Sequence, residues 1–593
     1  MCDLVIRGGE ILDGSGRPSF VGDIAIEKGI IQEVGQVSQS GKEEIDARGL
    51  IVTPGFVDLH THYDGQITWD QSLSPSTGHG VTTVVTGNCG VGFAPCRPHQ
   101  REVLVRIMEG VEDIPEVVMA EGVPWEWETF PEYLDFLERR QFDADVGVYL
   151  PHAALRVFVM GDRGAAGEIA TPDDCSQMAD LVTEAIRTGA LGISTSRSLL
   201  HRASDGSVVP HVKSDANELF ALAKGLGEAG DGVFQMISHV QDQLLRNVVG
   251  HSATLDQSDF VEREMELLRQ LAKASNRPLF FSLVDNAEIP TVWRQVLDLL
   301  GPINEQGCCV KAQIFPRPIG ILYGLDLSIH PFSFYPSYFA IRHLPLAERV
   351  KTMRSSEFRA RILAETDSQQ SPNQILHWLA ARSLDAFAFK EVPNYDPPPE
   401  NSLRAEAARR GLSVLEVAYD KLLENEGRAI LFLPSTNFTG GNLNNVLTML
   451  KHEHTLIGLG DGGAHYGMIC DASYPTFMLS YWSRDRLGEK IPLPSAIQAL
   501  TWRNAQAVGL TDRGLIARGL RADLNLIDFD KVSLGLPNAT YDLPSGGRRL
   551  VQAATGYVAS VVNGCVTRRD GVSTGNFPGR LIRRKQPAAM RAT

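Results

Sequence analysis

The chain is poor in cysteine, in basic charge and in long apolar runs. Eight cysteines among 593 residues are too sparse for a disulfide framework, which points to a reducing compartment. No stretch reaches the ~18 consecutive apolar residues that a membrane-spanning helix needs. Lys and Arg number 56 against 71 Asp and Glu, a formal net charge of −15. No basic stripe tracks a phosphate backbone, so nucleic acid is not an expected partner. The Arg-rich end, Arg580 to Lys585, reads as a solvated tail. Met1 to Gly9 carries an acid and no apolar core, so no secretory leader is expected. These absences describe a cytoplasmic protein with neither a membrane nor a nucleic acid as partner; they leave a homo-oligomer open. What remains is ordinary globular material, 43% hydrophobic and 21% charged. Its length exceeds one core, so a large catalytic domain and at least one smaller domain are expected.

Both ends of the chain read as β-structure. Asp3-Leu4-Val5-Ile6-Arg7, Asp23-Ile24-Ala25-Ile26-Glu27 and Ile30-Ile31-Gln32-Glu33-Val34 alternate between glycine turns, as do Leu524-Asn525-Leu526-Ile527 and Val558-Ala559-Ser560-Val561-Val562. Between about 54 and 510 strands alternate with helices. The strands are read at Val81–Val85, Val146–Leu150, Ala190–Ser196, Gly232–His239, Pro278–Leu283, Val310–Ile314 and Thr455–Asp461. About eight strand–helix units imply a parallel sheet and fit a (β/α)8 barrel. The expected class is therefore α/β: a TIM-like barrel, residues 54–510, inserted in a small β-sandwich built from 1–53 and 511–593. Residues 335–435 break the alternation with polar helices near 346–364, 370–382 and 402–426. They read as a helical insertion, a candidate lid beside the barrel mouth.

The chemistry concentrates where strands end. Leu50-Ile51-Val52-Thr53, Pro54-Gly55 and Phe56-Val57-Asp58-Leu59 lead to His60-Thr61-His62. Residues two apart in a strand share a face, so the two imidazoles project together, as a divalent metal requires. Thr86-Gly87-Asn88-Cys89-Gly90 follows a β-branched run, and Leu459-Gly460-Asp461-Gly462-Gly463 follows the last strand. Thiolate and imidazole suit zinc.

These pieces resemble the amidohydrolase superfamily and, within it, the D-aminoacylase (N-acyl-D-amino-acid deacylase) group. The resemblance rests on the HTH segment, Gly80 to Gly90, Trp127 to Leu134, Pro151 to Arg156, Gly189 to Ser196 and Val446 to Gly463. It implies a zinc held by His60, His62, Cys89 and Asp461, with a second zinc in question. It implies metal-activated water as nucleophile and Asp461 as general acid/base, cleaving a linear amide C–N bond of a small molecule. Alternatives are a cyclic-amide or other amide hydrolase on the same fold, and a degenerate, metal-free binding or scaffold member.

The sequence departs from the group in three places. The group has a metal-binding histidine at the end of strand 5; here that position is Ile237, with His239 two residues later. Strand 6 ends without a histidine and offers Asp285. The arginine about eleven residues beyond the catalytic aspartate is replaced by Tyr466 to Ala472, which contains no cation. Arg197, Arg202 or Arg317 are the candidate substitutes, and His152, His239, Asp285, Arg317 and His465 are candidates for additional metal or substrate contacts. Phe281, Phe315, Tyr323 and Phe332 suggest an apolar mouth for a bulky acyl group.

Overall fold

The computed structural model describes residues 1–240, 259–366 and 374–583. Its centre is a parallel sheet of eight strands in chain order: β1 (Phe56–Asp58), β2 (Val81–Thr86), β3 (Asp145–Pro151), β4 (Gly192–Ser196), β5 (Val233–Ile237), β6 (Leu279–Leu283), β7 (Val310–Ile314) and β8 (Thr455–Ile457). Each pairs with its neighbour in sequence. Strands of such a sheet are covered on both faces, which is why they are near-continuous apolar runs; all six residues of β2 are buried.

The first and last strands close the ring by means other than a regular ladder. Thr61 and Gly462 form an isolated parallel bridge past the strand ends. Lower down, the buried Asn504 amide donates to Val57 O at 2.8 Å on β1 and to Ile457 O at 2.9 Å on β8.

Helices clothe the barrel, and their limits are written locally. Pro172–Thr188 starts at Thr171, whose hydroxyl and the Asp174 carboxylate form a reciprocal capping box, and stops at Gly189 with φ 123°. Its Met178, Ala179, Val182, Ala185 and Ile186 are buried at helical spacing. It packs against Ala216–Ala229, which packs in turn against Phe260–Ser275.

Both chain ends enter one nine-stranded sheet. Leu524–Ile527 pairs antiparallel with Ile51–Pro54, joining the two ends. The run 51–54, which resembled the lead into the first barrel strand, thus belongs to the terminal sheet, and the barrel begins at Phe56. Gly55 makes the transfer: its N–H donates to Asp523 O at 2.8 Å. A Cβ there would lie 2.0 Å from Thr82 Oγ1 on β2, so no larger residue fits. The Arg-rich end also differs from a solvated tail. Gly579 bridges Phe142, Leu581 bridges Val146 on β3, and Arg583 Nη1 lies 2.6 Å from both Asp135 and Glu138. Arg584 and Lys585 lie outside the described residues.

The interrupting segment carries the expected helices at Leu346–Met353, Ser356–Ala364, Gln374–Arg382, Leu403–Arg410 and Val414–Leu422; the expected start of the middle one, 370–373, lies outside the described residues. These helices enclose a separate core that includes Leu325, Phe332, Val350, Met353 and Val417. A three-stranded antiparallel sheet, Ile319–Tyr323, Leu431–Thr436 and Phe387–Ala388, joins this segment to the barrel mouth. No described helix is long and apolar enough to cross a membrane.

Candidate metal centre and substrate cavity

His60 and His62 follow β1 directly and are both 1% exposed. The strand end fixes their direction. His62 N–H donates to Gly462 O at 2.7 Å and Asp461 N–H to His60 O at 3.1 Å, so the two histidines and the loop after β8 are laced together. The His60 ring is oriented from the opposite side by Gln313 of β7, whose Oε1 lies 3.1 Å from Nδ1. With the proton on Nδ1, the Nε2 lone pair is directed inward.

Cys89 sits in the tight turn after β2, at φ 57° between Gly87 and Gly90, both at positive φ. Left-handed backbone at a non-glycine residue costs about 1–3 kcal/mol and needs external support. Here it comes from β4, β5 and a neighbouring loop. Gly90 N–H donates to Ser194 Oγ at 2.9 Å, Cys89 N–H to Gln235 Oε1 at 3.2 Å, and His211 Nε2–H to Cys89 O at 3.1 Å.

The donor atoms converge. His60, His62 and Cys89 each offer a ligand atom, all within 4.8 Å of one another. Cys89 Sγ is 3.2 Å from His60 Nε2 and 3.7 Å from His62 Nε2. Asp461 Oδ1 is 3.5 Å and 3.8 Å from the same two nitrogens. Asp461 is also left-handed, φ 46°.

The electrostatics of this cluster suit a cation. Burial holds both imidazoles below their ordinary pKa, and so neutral. Burial, reinforced by Glu112, Asp461 and Asp64, pushes the Cys89 thiol well up. Glu112, 1% exposed with neither carboxylate oxygen hydrogen-bonded, is raised well above its usual range by burial, with Asp461 and Asp64 adding to it. Acidic groups and a thiol packed together without a countercharge are costly. A divalent ion reverses the penalty by favouring the thiolate and the carboxylates. The donor set therefore fits a metal.

A cavity of about 400 Å³ opens over the cluster. Two sources line it. The barrel supplies His60, His62, Cys89, Ile237, Val284 and Asp461; the 319–436 segment supplies Ile319, Ile321, Trp378, Leu379, Arg382 and Thr436. His465, φ 52°, also lines it. Four other candidates from the sequence do not line it. His152 is fully buried between Thr195 Oγ1 and Glu218 Oε1, both at 2.8 Å. His239 holds its backbone N–H on Glu264 Oε1 at 3.0 Å. Asp285 accepts from Thr439 and Asn445 and so anchors the loop after residue 436. Arg317 is spent on Asp471 Oδ1 at 2.7 Å and Cys470 O at 2.6 Å, with its guanidinium 3.9 Å from the Tyr395 ring centre. Arg197 pairs with Glu264 at 3.2 Å, and Arg202 binds the carbonyls of Leu199 and Gly206. Nor do Phe281, Phe315, Tyr323 or Phe332 form the mouth; all four are core residues.

Sequence reasoning missed Glu112, Gln313, Trp378 and Arg382. Glu112 carried a readable signal. It ends the helix Arg101–Glu112 in phase with buried Leu104 and Met108, where an acid has no reason to be unless it meets a partner.

A parallel barrel with histidines, a thiol and an aspartate gathered at its C-terminal strand ends defines a metal-dependent barrel hydrolase. The comparisons with known proteins agree. The amidohydrolase family matches residues 43–567. D-aminoacylase of Alcaligenes xylosoxydans xylosoxydans is 26% identical over 588 residues, covering 98% of each chain. N-acyl-D-glutamate deacylase of the same organism is 25% identical over 588 residues, covering 98% of this chain and 96% of that one. The crystal structure of D-aminoacylase superposes with a TM-score of 0.63 at 23% identity, covering 98% of this chain and all of that one. The N-acyl-D-glutamate deacylase of Bordetella bronchiseptica, complexed with zinc and a phosphonate inhibitor, gives 0.62 at 22% identity with the same coverage. The chain belongs to the amidohydrolase family: it is a metal-dependent hydrolase acting on carbon–nitrogen bonds other than peptide bonds.

Proposed function

We propose that the protein is an N-acyl-D-amino-acid deacylase with one zinc, held by His60, His62, Cys89 and Asp461. The convergence of these four donors under one cavity carries the reading. The Nε2 atoms of His60 and His62 lie 3.2–3.8 Å from Cys89 Sγ and from Asp461 Oδ1, close to the roughly 3.3–3.6 Å between tetrahedral ligands on ~2.0–2.3 Å bonds. Among the described residues the positions expected to serve a second zinc are altered: Ile237 stands where a strand-5 histidine would serve, and Asp285 is committed elsewhere. Bound there, zinc supplies Lewis acidity toward the amide carbonyl and makes water nucleophilic at neutral pH.

The chain's own groups do the rest. Asp461 presents Oδ1 to the imidazoles, and its carboxylate takes the proton from water and returns it to the leaving nitrogen. Ile319, Ile321, Trp378 and Leu379 pack the acyl chain and exclude water. Arg382, stacked 4.9 Å over Trp378, offers the substrate carboxylate a guanidinium that pairs with no described acid. The helices of 335–435 thereby act as the specificity wall of a barrel spanning 54–510, scaffolded by the terminal sheet. All eight cysteines are free thiols, which supports work in the cytoplasm.

The test is metal content beside a matched substrate panel. About one zinc per chain, lost in His60→Ala and Cys89→Ala, is expected, with N-acyl-D-amino acids cleaved in preference to L. Replacing the substrate carboxylate by a carboxamide should cost roughly 10–100-fold in kcat/KM, and Arg382→Met should abolish that difference. Amide cleavage indifferent to the carboxylate would refute the substrate assignment; two zinc ions per chain would refute the mononuclear one.

A further inference from the structure

We propose that Glu112 is a positioning residue of the metal centre, one carboxylate holding two imidazoles and the turn that carries Asp461. The inference rests on the one-metal reading above.

Glu112 belongs to a helix outside the eight strands, yet its side chain reaches the centre. Oε1 lies 3.4 Å from His62 Nδ1 and Oε2 lies 3.6 Å from His465 Nε2. One oxygen faces each ring. Neither contact has hydrogen-bond geometry in this structure; a shift of about half an ångström by either ring brings it to bonding distance. The main chain of the same residue binds the same loop, because His465 N–H donates to Glu112 O. Ala464 N–H donates to Asp461 O at 3.0 Å, which folds residues 461–465 into one turn. Glu112 therefore faces His62 directly and reaches Asp461 through that turn.

The chemistry of the grip is tautomer selection. A neutral imidazole carries one proton. With a carboxylate at Nδ1, the proton sits there and Nε2 keeps its lone pair, 3.7 Å from Cys89 Sγ and 3.8 Å from Asp461 Oδ1. The other tautomer would set a lone pair against the carboxylate and aim an N–H at the donors of the metal. Gln313 does the same for His60 from β7. The two ligand histidines are thus fixed from opposite sides, one by an amide and one by an acid.

A carboxylate kept only for the fold would not be placed here. Its oxygens are buried and lack hydrogen bonds. Replacing the carboxyl by the isosteric amide should leave the metal-free protein about as stable, while losing the orienting acceptor should weaken the metal. Affinity falls without stability falling beside it, which separates positioning from a purely structural role.

The experiment compares wild type, Glu112→Gln and Glu112→Asp by cobalt(II) titration, visible spectrum and denaturant unfolding of the metal-free proteins. Cobalt uptake by wild type tests the metal reading by itself; the variants test Glu112. Glu112→Gln should bind cobalt 10–100-fold more weakly, with a changed visible band, while its metal-free form unfolds at the same or higher denaturant concentration. Glu112→Asp keeps the charge on a shorter stem and should fall between. Cobalt affinity and spectrum within twofold of wild type in Glu112→Gln would overturn the proposal, as would a loss of metal-free stability parallel to the loss of affinity. If Glu112→Gln does not fold, a Glu112→Asp variant with wild-type cobalt affinity overturns it.

Discussion

Asn504→Ala removes both hydrogen bonds that tie β1 to β8 beneath the metal centre. Asn504 is fully buried, and its Nδ2 serves Val57 O and Ile457 O at 2.8 and 2.9 Å. Each buried carbonyl stripped of its donor costs about 1–3 kcal/mol, so the loss lies at about 2–6 kcal/mol for the two. The asparagine's own Oδ1 is buried without a partner, and its removal returns part of that, placing alanine in the lower half of the range. Asn504→Asp keeps the shape and inverts the chemistry, setting a carboxylate oxygen against two carbonyl oxygens. An uncompensated buried charge costs about 3–5 kcal/mol, so aspartate should be worse than alanine at pH 7 by at least about 1 kcal/mol. Urea unfolding of the metal-free proteins measures both. Because β1 leads to His60 and His62 and β8 to Asp461, zinc affinity should fall in both variants as well. The reasoning fails if aspartate is no worse than alanine, or if both lie within about 0.5 kcal/mol of wild type.

Gln313→Leu should weaken zinc binding about 10–100-fold by freeing the His60 ring; equal affinity by chelator competition would remove Gln313 from the centre. Stripping the metal should lower the unfolding midpoint, by about 2.7 kcal/mol relative to protein held at a hundredfold excess over Kd; a midpoint indifferent to chelator would contradict a folded-state site. His79 sets an acid limb on stability. Its Nδ1 and Nε2 are hydrogen-bonded to Thr476 Oγ1 at 2.8 Å and Gln552 O at 2.9 Å, and burial pushes its pKa down to about 3. The unfolded chain binds this proton near pH 6.5, so the stabilisation is complete above that pH and falls as pH drops toward 3. At pH 5 the loss is about 2 kcal/mol. His79→Gln should flatten the pH dependence of the urea midpoint in that window, and an unchanged slope would count against it.

The barrel was legible because buried parallel strands are apolar runs and their crossovers amphipathic helices; seven strand positions agree with the sequence reading to within about two residues at most ends. The passage from terminal sheet to barrel was read at residues 53 and 54, where Pro54-Gly55 interrupts the run, although Ile51–Pro54 is as β-branched and as buried as a barrel strand. The partner of that strand, Leu524–Ile527, lies far along the chain and is set by tertiary pairing. The small sheet at 319–436 was hidden for the same reason, since Tyr323 meets Leu431 across the intervening helices. His60, His62, Cys89 and Asp461 were visible because each follows a strand directly. Glu112, Trp378 and Arg382 come from helices, whose approach to the mouth depends on tertiary packing alone. The departures at strands 5 and 6 were visible as missing histidines. What fills the space, Ile237 and Val284 toward the cavity and Asp285 turned onto Thr439, needed the structure.

The two-source cavity has a consequence for how this chain can change. The groups proposed to break the bond lie at barrel strand ends scattered from residue 60 to 461, and any shift among them disturbs a shared centre. The cationic and most of the bulky apolar wall proposed to face the remainder of the substrate comes from one stretch, 319–436, with its own core, joined by Ile237 and Val284 of the barrel. Replacing that stretch by its counterpart from a relative would exchange substrate preference in one step while leaving the bond-breaking machinery in place. New specificities can therefore be grafted onto the chain, or arise by recombination, far more readily than new chemistry.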